Sequence, residues 1–324
     1  LFVVFRGNSM GREMAEAVIH KGLPSFPITK EKLPEGLVWT TDGEHKPFAS
    51  DKAIKGGVFY KYQTTYPTTF RQYGPNANTS FRSYLDDNDL DLIGIHPVTL
   101  KYYPVLATEW AIGPDNRTVY FKLNPEARWS DGHPLTADDF IYGVKHLRSE
   151  SILSPYTKNY MHTMVERVMK FSDHLIGVRL PAAKADLVTN CTMTAVPYHF
   201  YGKLREVEAE LPVTQAMRVL LHDEKEIPEE IQKKHDDYLE GKKNSEEPIE
   251  EPKVKIIKED VREDWVSHYQ WKVQPRTGPY IIHSWIKGKE VVLKRIKDWW
   301  AKDKKMFKNR YNVDFIHVKL IRDM

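Results

Sequence analysis

Residues 118–148 read TVYFKLNPEARWSDGHPLTADDFIYGVKHLR and combine the patterns of a strand, a tight turn and a capped helix. Polar and apolar residues alternate over 118–123, which is the period of a half-buried strand. Ser130, Asp131 and Gly132 form a turn sequence, because glycine adopts positive φ readily and a short carboxylate accepts from nearby amides. We expect this stretch to decide the architecture around it.

A helix is predicted directly after the turn. Thr136 lies three residues before Asp139, the spacing of a capping box that satisfies the free N–H groups of a first turn. Apolar residues at helical spacing then predict one buried face: Phe140, Ile141, Val144 and Leu147. The adjacent Asp138 and Asp139 point in different directions on a helix, so capping explains them better than an acid–base pair.

Composition limits the classes of function. With 324 residues and 41% hydrophobic content, the chain can form two compact units. Its net charge of +3, with both signs interspersed, argues against a nucleic-acid partner. The single cysteine, Cys191, excludes an internal disulfide and a cysteine-based zinc site. No stretch approaches the roughly twenty apolar residues of a membrane span.

The sequence lacks the motifs of common catalytic sites. The glycine-rich motifs of nucleotide-binding loops, G-x-x-x-x-G-K-S/T and G-x-G-x-x-G, are absent from the sequence. The motifs H-E-x-x-H and G-x-S-x-G are absent as well. The 13 histidines are scattered, without a pair at metal-ligand spacing. We therefore predict a protein that is not an enzyme and that has no cofactor and no metal site.

Further patterns predict a succession of hairpins. Turn residues at 114–116, 172–173 and 287–289 each separate two alternating segments. Residues 312–321 form a last alternating strand that stops near Met324. A strand at the end of a chain leaves backbone groups unpaired, so we expect the natural protein to continue beyond this point.

Two segments differ in composition from the rest. Residues 1–56 are predicted to be an N-terminal extension, part of which is a proline- and lysine-rich arm that wraps the surface. Residues 203–264 are dense in Glu, Lys and Asp. We interpret them as a solvated insertion, with exposed helices over 204–211 and 227–239 and a flexible loop over 240–252.

Three motifs in a fixed order carry a family resemblance. They are PVLATEW at 104–110, WSDGHPLTADD at 129–139, and TGPY at 277–280 followed by Trp285, Leu293 and Arg295. Over about 57–202 and 270–324 the chain resembles the family 5 extracellular solute-binding proteins of ABC importers. One departure is Ile296–Trp300, where the family usually has Asn-Pro-x-Tyr-Trp; we expect a changed turn and an unchanged fold.

The resemblance implies a fold and a domain layout. The fold is α/β with a mixed sheet, of the periplasmic-binding-protein type (type II, the large family 5 form), and the second ligand lobe is missing from this chain. The core of the first lobe comprises 57–84 and 199–324, including the insertion at about 203–264. Residues 85–198 form an accessory subdomain packed on that lobe.

The resemblance also implies a function and contacts. A periplasmic or extracellular, membrane-associated monomer would capture a peptide-like solute between two lobes and deliver it to an ABC permease. The ligand contacts would be Gln72, Tyr73, Gly74 and Pro75, through strand addition, and Tyr156, through its ring. The alternatives are an oligosaccharide or metal-chelate ligand, or a ligand-sensing domain of a regulator. Because one lobe offers half of the contacts, we expect this chain alone to bind peptides weakly or not at all.

Overall fold

The structure is a computed structural model that describes residues 22–41, 46–70, 79–151, 155–202, 204–245, 247–261 and 274–321. Its strands are β1 (Val58–Gln63), β2 (Ile93–Ile95), β3 (Tyr102–Pro104), β4 (Ala107–Ile112), β5 (Thr118–Leu123), β6 (Arg167–Ser172), β7 (Leu175–Arg179), β8 (Leu204–Pro212), β9 (Lys253–Val261), β10 (Tyr280–Ile286), β11 (Glu290–Arg295) and β12 (Phe315–Leu320). Its helices are α1 (Thr79–Asp86), α2 (Ala137–Leu147), α3 (Pro155–Met164), α4 (Leu187–Cys191), α5 (Tyr198–Tyr201), α6 (Val213–His222) and α7 (Glu229–Asn244).

The first four-stranded sheet has the order β1-β12-β11-β10. It is mixed, because β1 runs parallel to β12 whereas the other neighbours are antiparallel. The last strand of the chain is therefore an interior strand, and the expectation that 312–321 would leave its backbone unpaired is wrong. The reason is that β1, from far earlier in the chain, supplies the second neighbour, with Val58 opposite Phe315.

The second four-stranded sheet has the order β4-β5-β7-β6 and is antiparallel throughout. The predicted hairpins at 114–116 and 172–173 are confirmed, and they join through β5 and β7. The expectation of a half-buried β5 is wrong, since only Lys122 keeps appreciable exposure. The N-terminal arm contacts this strand at its exposed residue, with the Lys122 ammonium 4.2 Å from the Trp39 ring centroid.

Helix α2 lies inside the molecule. Its start is confirmed as predicted, since the Thr136 N–H donates to Asp139 Oδ2 over 2.9 Å. The predicted apolar face is buried, but so are Lys145 and His146 on the other side of the helix. The arm and the insertion cover Lys145, and Tyr201 of α5 packs against His146, so a helix with an amphipathic sequence is enclosed almost completely.

The charged insertion has its own small core. Strands β8 and β9 pair along their whole length, with Leu204 opposite Val261 and Pro212 opposite Lys253. The predicted helix over 204–211 is wrong: glutamates at 206, 208 and 210 alternate with apolar residues, which is the period of a strand. The predicted helix over 227–239 is confirmed from Glu229 onward as part of α7, but the loop predicted over 240–252 is wrong at 240–244, because α7 continues to Asn244. Buried residues from strands β8 and β9 and helices α6 and α7 form this core: Leu211, Val213, Ala216, Met217, Val219, Leu220, Ile231, Val254 and Ile256.

The described part of the N-terminal arm lies along the surface, as predicted. The Thr29 N–H donates to the Lys170 carbonyl over 2.7 Å, and Thr40 forms an isolated β-bridge with Trp110. The Arg179 guanidinium donates to both oxygens of Glu31, over 2.8 and 2.6 Å. Within the described ranges, no helix has the length and apolar character that a membrane crossing requires.

Candidate functional site

The turn of the WSDG motif is held by its own side chains. Gly132 has a φ of +87°, which favours glycine. Asp131 accepts the His133 N–H at Oδ1 over 3.1 Å, and its Oδ2 lies 2.8 Å from His199 Nε2. The Trp129 indole donates to Asp139 Oδ2 over 3.3 Å. The structure therefore confirms the predicted turn at Ser130, Asp131 and Gly132, which the Gly132 N–H closes by donating to the Trp129 carbonyl over 2.8 Å.

Asp139 connects this turn to α2 and α5. Its carboxyl group accepts the Thr136 N–H over 2.9 Å, the Tyr198 N–H over 3.0 Å and the Trp129 indole. Complete burial raises the pKa of Asp139 to about 6, although the three donors favour the ionised form. The sequence indicated only a helix cap here, whereas the structure makes the same carboxyl group a buried three-way connector.

Two histidines stack beside the turn. The ring centroids of His133 and His199 are 4.0 Å apart, with an interplanar angle of 14°. Burial and the proximity of His199 lower the pKa of His133. Burial would raise the pKa of Asp131, but the hydrogen bond and charge of His199 together bring it below the ordinary value. Asp131 is thus ionised near neutral pH and orients His199.

The WSDG turn interlocks with the segment that leads to the TGPY motif. The Ser130 N–H donates to the Arg276 carbonyl over 2.8 Å, and the Arg276 N–H donates to Ser130 Oγ over 3.0 Å. The Arg276 guanidinium pairs with Asp89 at 2.6 Å, and the two side chains are only 3% and 7% exposed. Two motifs that are distant in the chain therefore meet as one structural unit.

The TGPY motif packs directly against Asn88. The Gly278 N–H donates to the Asn88 carbonyl over 2.9 Å, and the Tyr280 N–H donates to Asn88 Oδ1 over 2.8 Å. A Cβ added at Gly278 would lie 2.6 Å from Asn88 Oδ1 and 2.7 Å from the Asn88 carbonyl carbon, and closer still to the carbonyl oxygen. Only glycine therefore fits at position 278. The Leu90 N–H donates to Thr277 Oγ1 over 2.7 Å, which adds a further contact between this motif and the segment 88–90.

Two tryptophans at the end of the segment 296–300 bond to the TGPY motif; Trp299 departs from the family pattern, whereas Trp300 matches it. The indoles of Trp299 and Trp300 both donate to the Thr277 carbonyl, over 2.9 and 3.1 Å. We call residues 88–90, 129–132, 276–280 and 299–300 together the hub. The hub joins the first sheet to the second, and its polar groups bond mainly to one another.

Chemically, the hub is a structural element. Its hydrogen bonds link backbone groups, indoles and buried side chains, and none of its residues forms a nucleophile–base pair. In the described part of the chain, no group of three or more His, Cys, Asp or Glu side chains could hold a metal ion. Cys191 is buried, and burial raises the pKa of its thiol to about 12, so it remains an unreactive thiol.

None of the five predicted ligand contacts belongs to the hub. Gln72, Tyr73, Gly74 and Pro75 fall outside the described residues. Tyr156 lies on α3 with 80% of its surface exposed, and its ring stacks on Tyr160 at a centroid distance of 6.3 Å. An exposed aromatic pair can contact a ligand, but the role of these five residues stays a prediction.

A cavity of about 470 Å³ lies between the arm, α2, β6 and the insertion. We call it the arm–insertion cavity; its lining comprises Gly22, Pro24, Ser25, Phe26, Pro27, Ile141, Lys145, Val168, Lys170, Tyr198, Leu204, His222, Asp223, Glu224, Lys225 and Glu259. No sequence pattern predicted this space, because residues from six separate stretches of the chain meet there. Lys145 reads in the sequence as an ordinary basic residue in the last turn of a helix.

Comparisons with known proteins agree with the resemblance in sequence. Residues 101–323 match the family model described as bacterial extracellular solute-binding proteins, family 5 Middle. The periplasmic oligopeptide-binding protein OppA of Haemophilus influenzae is 33% identical over 82 residues, which cover 25% of this chain and 15% of OppA. The Escherichia coli protein YejA is 22% identical over 308 residues, which cover 92% of this chain and 40% of YejA.

A solved structure has the same fold. The periplasmic EDTA-binding protein EppA superposes with a TM-score of 0.51 at 15% sequence identity, over 85% of this chain and 41% of EppA. This chain thus spans less than half the length of these relatives. The comparisons confirm the α/β fold of the family 5 type of periplasmic binding protein. By its family match, the chain belongs to the bacterial extracellular solute-binding proteins of family 5.

Proposed function

We propose that this protein is the solute receptor of an ABC importer and that it captures a peptide-like ligand for delivery to a membrane permease. The observation that carries the proposal is the family match, which extends over residues 101–323. The peptide class is supported by the relative named for oligopeptide binding, which is 33% identical over 82 residues. A chelate remains the second ligand class, because a protein of the same fold is named for EDTA.

The proposed mechanism uses two lobes. The sheet β1-β12-β11-β10, with residues 57–84 and 199–324, forms the core of one lobe, and 85–198 is an accessory subdomain held to it by the hub. The natural protein supplies the second lobe, and the ligand selects the closed arrangement by contacts to both faces. The assignment of this sheet to one lobe is supported by a separate cluster of buried apolar residues in which Phe70 and Phe81 pack with Val291 and Val318.

Ligand contacts are proposed at two places. Gln72, Tyr73, Gly74 and Pro75 follow β1 and would pair with the ligand backbone, which gives affinity without selecting side chains. Tyr156 would contact the ligand through its exposed ring. The receptor would act as a monomer in the periplasm or at the outer face of the membrane, where it meets the permease.

Native mass spectrometry of the natural full-length protein tests this function. A co-purifying species that fragments as a peptide is the expected result, followed by micromolar or tighter peptide binding in calorimetry. The 324-residue chain, as a matched sample, should bind the same peptide weakly or not at all. A co-purifying chelate or sugar, with no heat from peptides, would overturn the peptide class.

A further inference from the structure

The N-terminal arm is held in place mainly by polar contacts. Within the described range 22–41, Thr29 is the only buried residue, and the apolar side chains of Leu23 and Phe26 are partly buried against the main core. An element with few buried apolar contacts opens locally at a small cost in free energy. The arm can therefore detach from the sheet beneath it while that sheet remains folded.

Two arginines on neighbouring strands form a docking site for the arm. Arg167 of β6 and Arg179 of β7 lie directly opposite each other in the register, and their side chains are only 4% and 15% exposed. Like charges opposite each other in an antiparallel pair destabilise that pair. An anion that bridges the two guanidinium groups removes this repulsion, so the arginine pair favours a carboxylate between them.

Glu31 of the arm supplies this carboxylate. The Arg179 guanidinium donates to Glu31 Oε1 over 2.8 Å and to Oε2 over 2.6 Å, and Arg167 also donates to Oε1. Burial would raise the pKa of Glu31, but the hydrogen bond of Arg179 and the charge of Arg167 bring it below the ordinary value. The carboxylate is therefore ionised at neutral pH and bridges both arginines.

Three other carboxylates lie near the arginine pair at longer distances. Glu224 lies 3.5 Å from Arg167, and Asp115 and Glu166 lie 3.6 and 4.0 Å from Arg179. They belong to the parts of the chain beneath the arm, so the arginines remain partly neutralised when the arm detaches. The shorter, bidentate contact of the arm favours the docked state. An open state is therefore accessible, and the docked state has the lower free energy.

A second group of contacts holds the arm beside the arm–insertion cavity. The Ser25 hydroxyl donates to Asp138 Oδ2 over 2.8 Å, and the Phe26 N–H donates to Oδ1 of the same carboxylate over 3.2 Å. Residues 24–27 form one wall of the cavity. Detachment of this part of the arm would therefore open the cavity to solvent along one side.

We propose that residues 24–31 form a strap that opens and closes over the arm–insertion cavity, and that Glu31 is its latch. When Glu31 leaves Arg167 and Arg179, the strap detaches from β6 and β7 and the cavity becomes an open groove. Both sheets remain folded during this opening. The strap is separate from the residues proposed for peptide capture and does not depend on that function.

Hydrogen exchange of the 324-residue chain at pH 7 tests the proposal. The reporter is the Thr29 N–H, which donates to the Lys170 carbonyl over 2.7 Å and exchanges when the strap opens. Glu31→Gln removes the charge and nearly keeps the shape. We expect the Thr29 amide of this variant to exchange about tenfold faster, the effect of one partly exposed charged hydrogen bond. The amides of β5 should keep their wild-type rates, and equal acceleration in β5 would overturn the proposal.

Further variants assign the effect to the latch. The matched control is Glu35→Gln, because Glu35 lies on the same arm, is exposed, and forms no ion pair within the described ranges; its Thr29 exchange should equal that of the wild type. Arg179→Lys keeps the charge but cannot donate in the bidentate manner, so it should also accelerate exchange at Thr29. Combined with Glu31→Gln it should add little, because Arg179 acts on the strap through Glu31.

The same measurements can overturn the proposal. Wild-type exchange at Thr29 in Glu31→Gln, or the same acceleration in Glu35→Gln, would show that Glu31 is not the latch. If circular dichroism shows that Glu31→Gln does not fold, Arg179→Lys decides, and wild-type exchange at Thr29 in that variant would reject the assignment.

Discussion

The hub and the arm–insertion cavity both join segments that are distant in sequence, but they do so with different chemistry. In the hub, backbone groups and indoles form neutral hydrogen bonds around Gly278, and Arg276–Asp89 is the only buried ion pair described there. Around the cavity, ion pairs of Lys145 and Lys170 predominate. A buried ion pair is compatible with a stable fold only while both partners are present, because a buried charge without its partner carries the full desolvation cost. The two connections should therefore respond differently to substitution and to pH.

Removal of the buried ammonium group should have the largest effect. Lys145→Met leaves the carboxylate of Asp223 buried without its counter-ion, so we expect a loss of about 4 kcal/mol in the free energy of unfolding. Urea denaturation followed by circular dichroism measures this loss. The matched control is Lys255→Met, because Lys255 pairs with Glu208 at the surface, with side chains 71% and 68% exposed. The control should change stability by less than about 0.5 kcal/mol, and equal losses in both variants would contradict the contrast.

Crowding of the hub should have the next largest effect. Gly278→Ala places a methyl group against the carbonyl and side chain of Asn88, so we expect a loss of about 3 kcal/mol from forced displacement of the backbone. Thermal and urea denaturation give the measurement. The control is Gly143→Ala in α2, whose added Cβ would be 3.4 Å from Val196 Cγ2, an ordinary contact. That variant should be neutral or slightly stabilised, and similar losses in both would disprove the close-contact argument.

The pH dependence from Asp139 should be somewhat smaller. Its pKa is about 6 in the folded protein and 3.8 in the unfolded chain. The contribution of Asp139 to the free energy of unfolding is therefore fully present below pH 3.8. That contribution is lost as pH rises through about 6, and we expect it to amount to about 2 to 3 kcal/mol. Asp139→Asn cannot titrate. The stability of the wild type minus that of the variant, from urea midpoints between pH 4 and pH 7, should fall by this amount. A difference that does not change with pH would show that the three N–H donors keep the carboxylate ionised.

Local patterns predicted the elements that depend on neighbours in the chain. The alternation in 165–180 and 277–295 and the turn residues between the strands specify hairpins, because the two partners are adjacent in sequence. The cap at Thr136 and Asp139 is equally local. The helix predicted over 204–211 is a strand. The prediction relied on the high charge content, although the alternation of glutamates with apolar residues has the period of a strand.

The candidate site was less accessible to sequence reasoning. The motifs identified the family, yet the residues that hold them together, Asn88 and Arg276, carry no local signal, because their partners lie more than one hundred residues away. The predicted contact Tyr156 is exposed on α3, and its role awaits a ligand experiment. The arm–insertion cavity could not be predicted, since no local pattern reports where separate segments meet.

By itself, the sequence of 118–148 determined a strand, a glycine turn and a capped helix, and with the other motifs it determined the family. Local backbone preference and side-chain period suffice for such elements. Only the tertiary structure decided that β12 is interior, that Lys145 is buried between carboxylates, and that Gly278 must lack a side chain. These features depend on which distant segments cover a given residue, and burial changes the energetics of a charge or a methyl group more than its neighbours in sequence do.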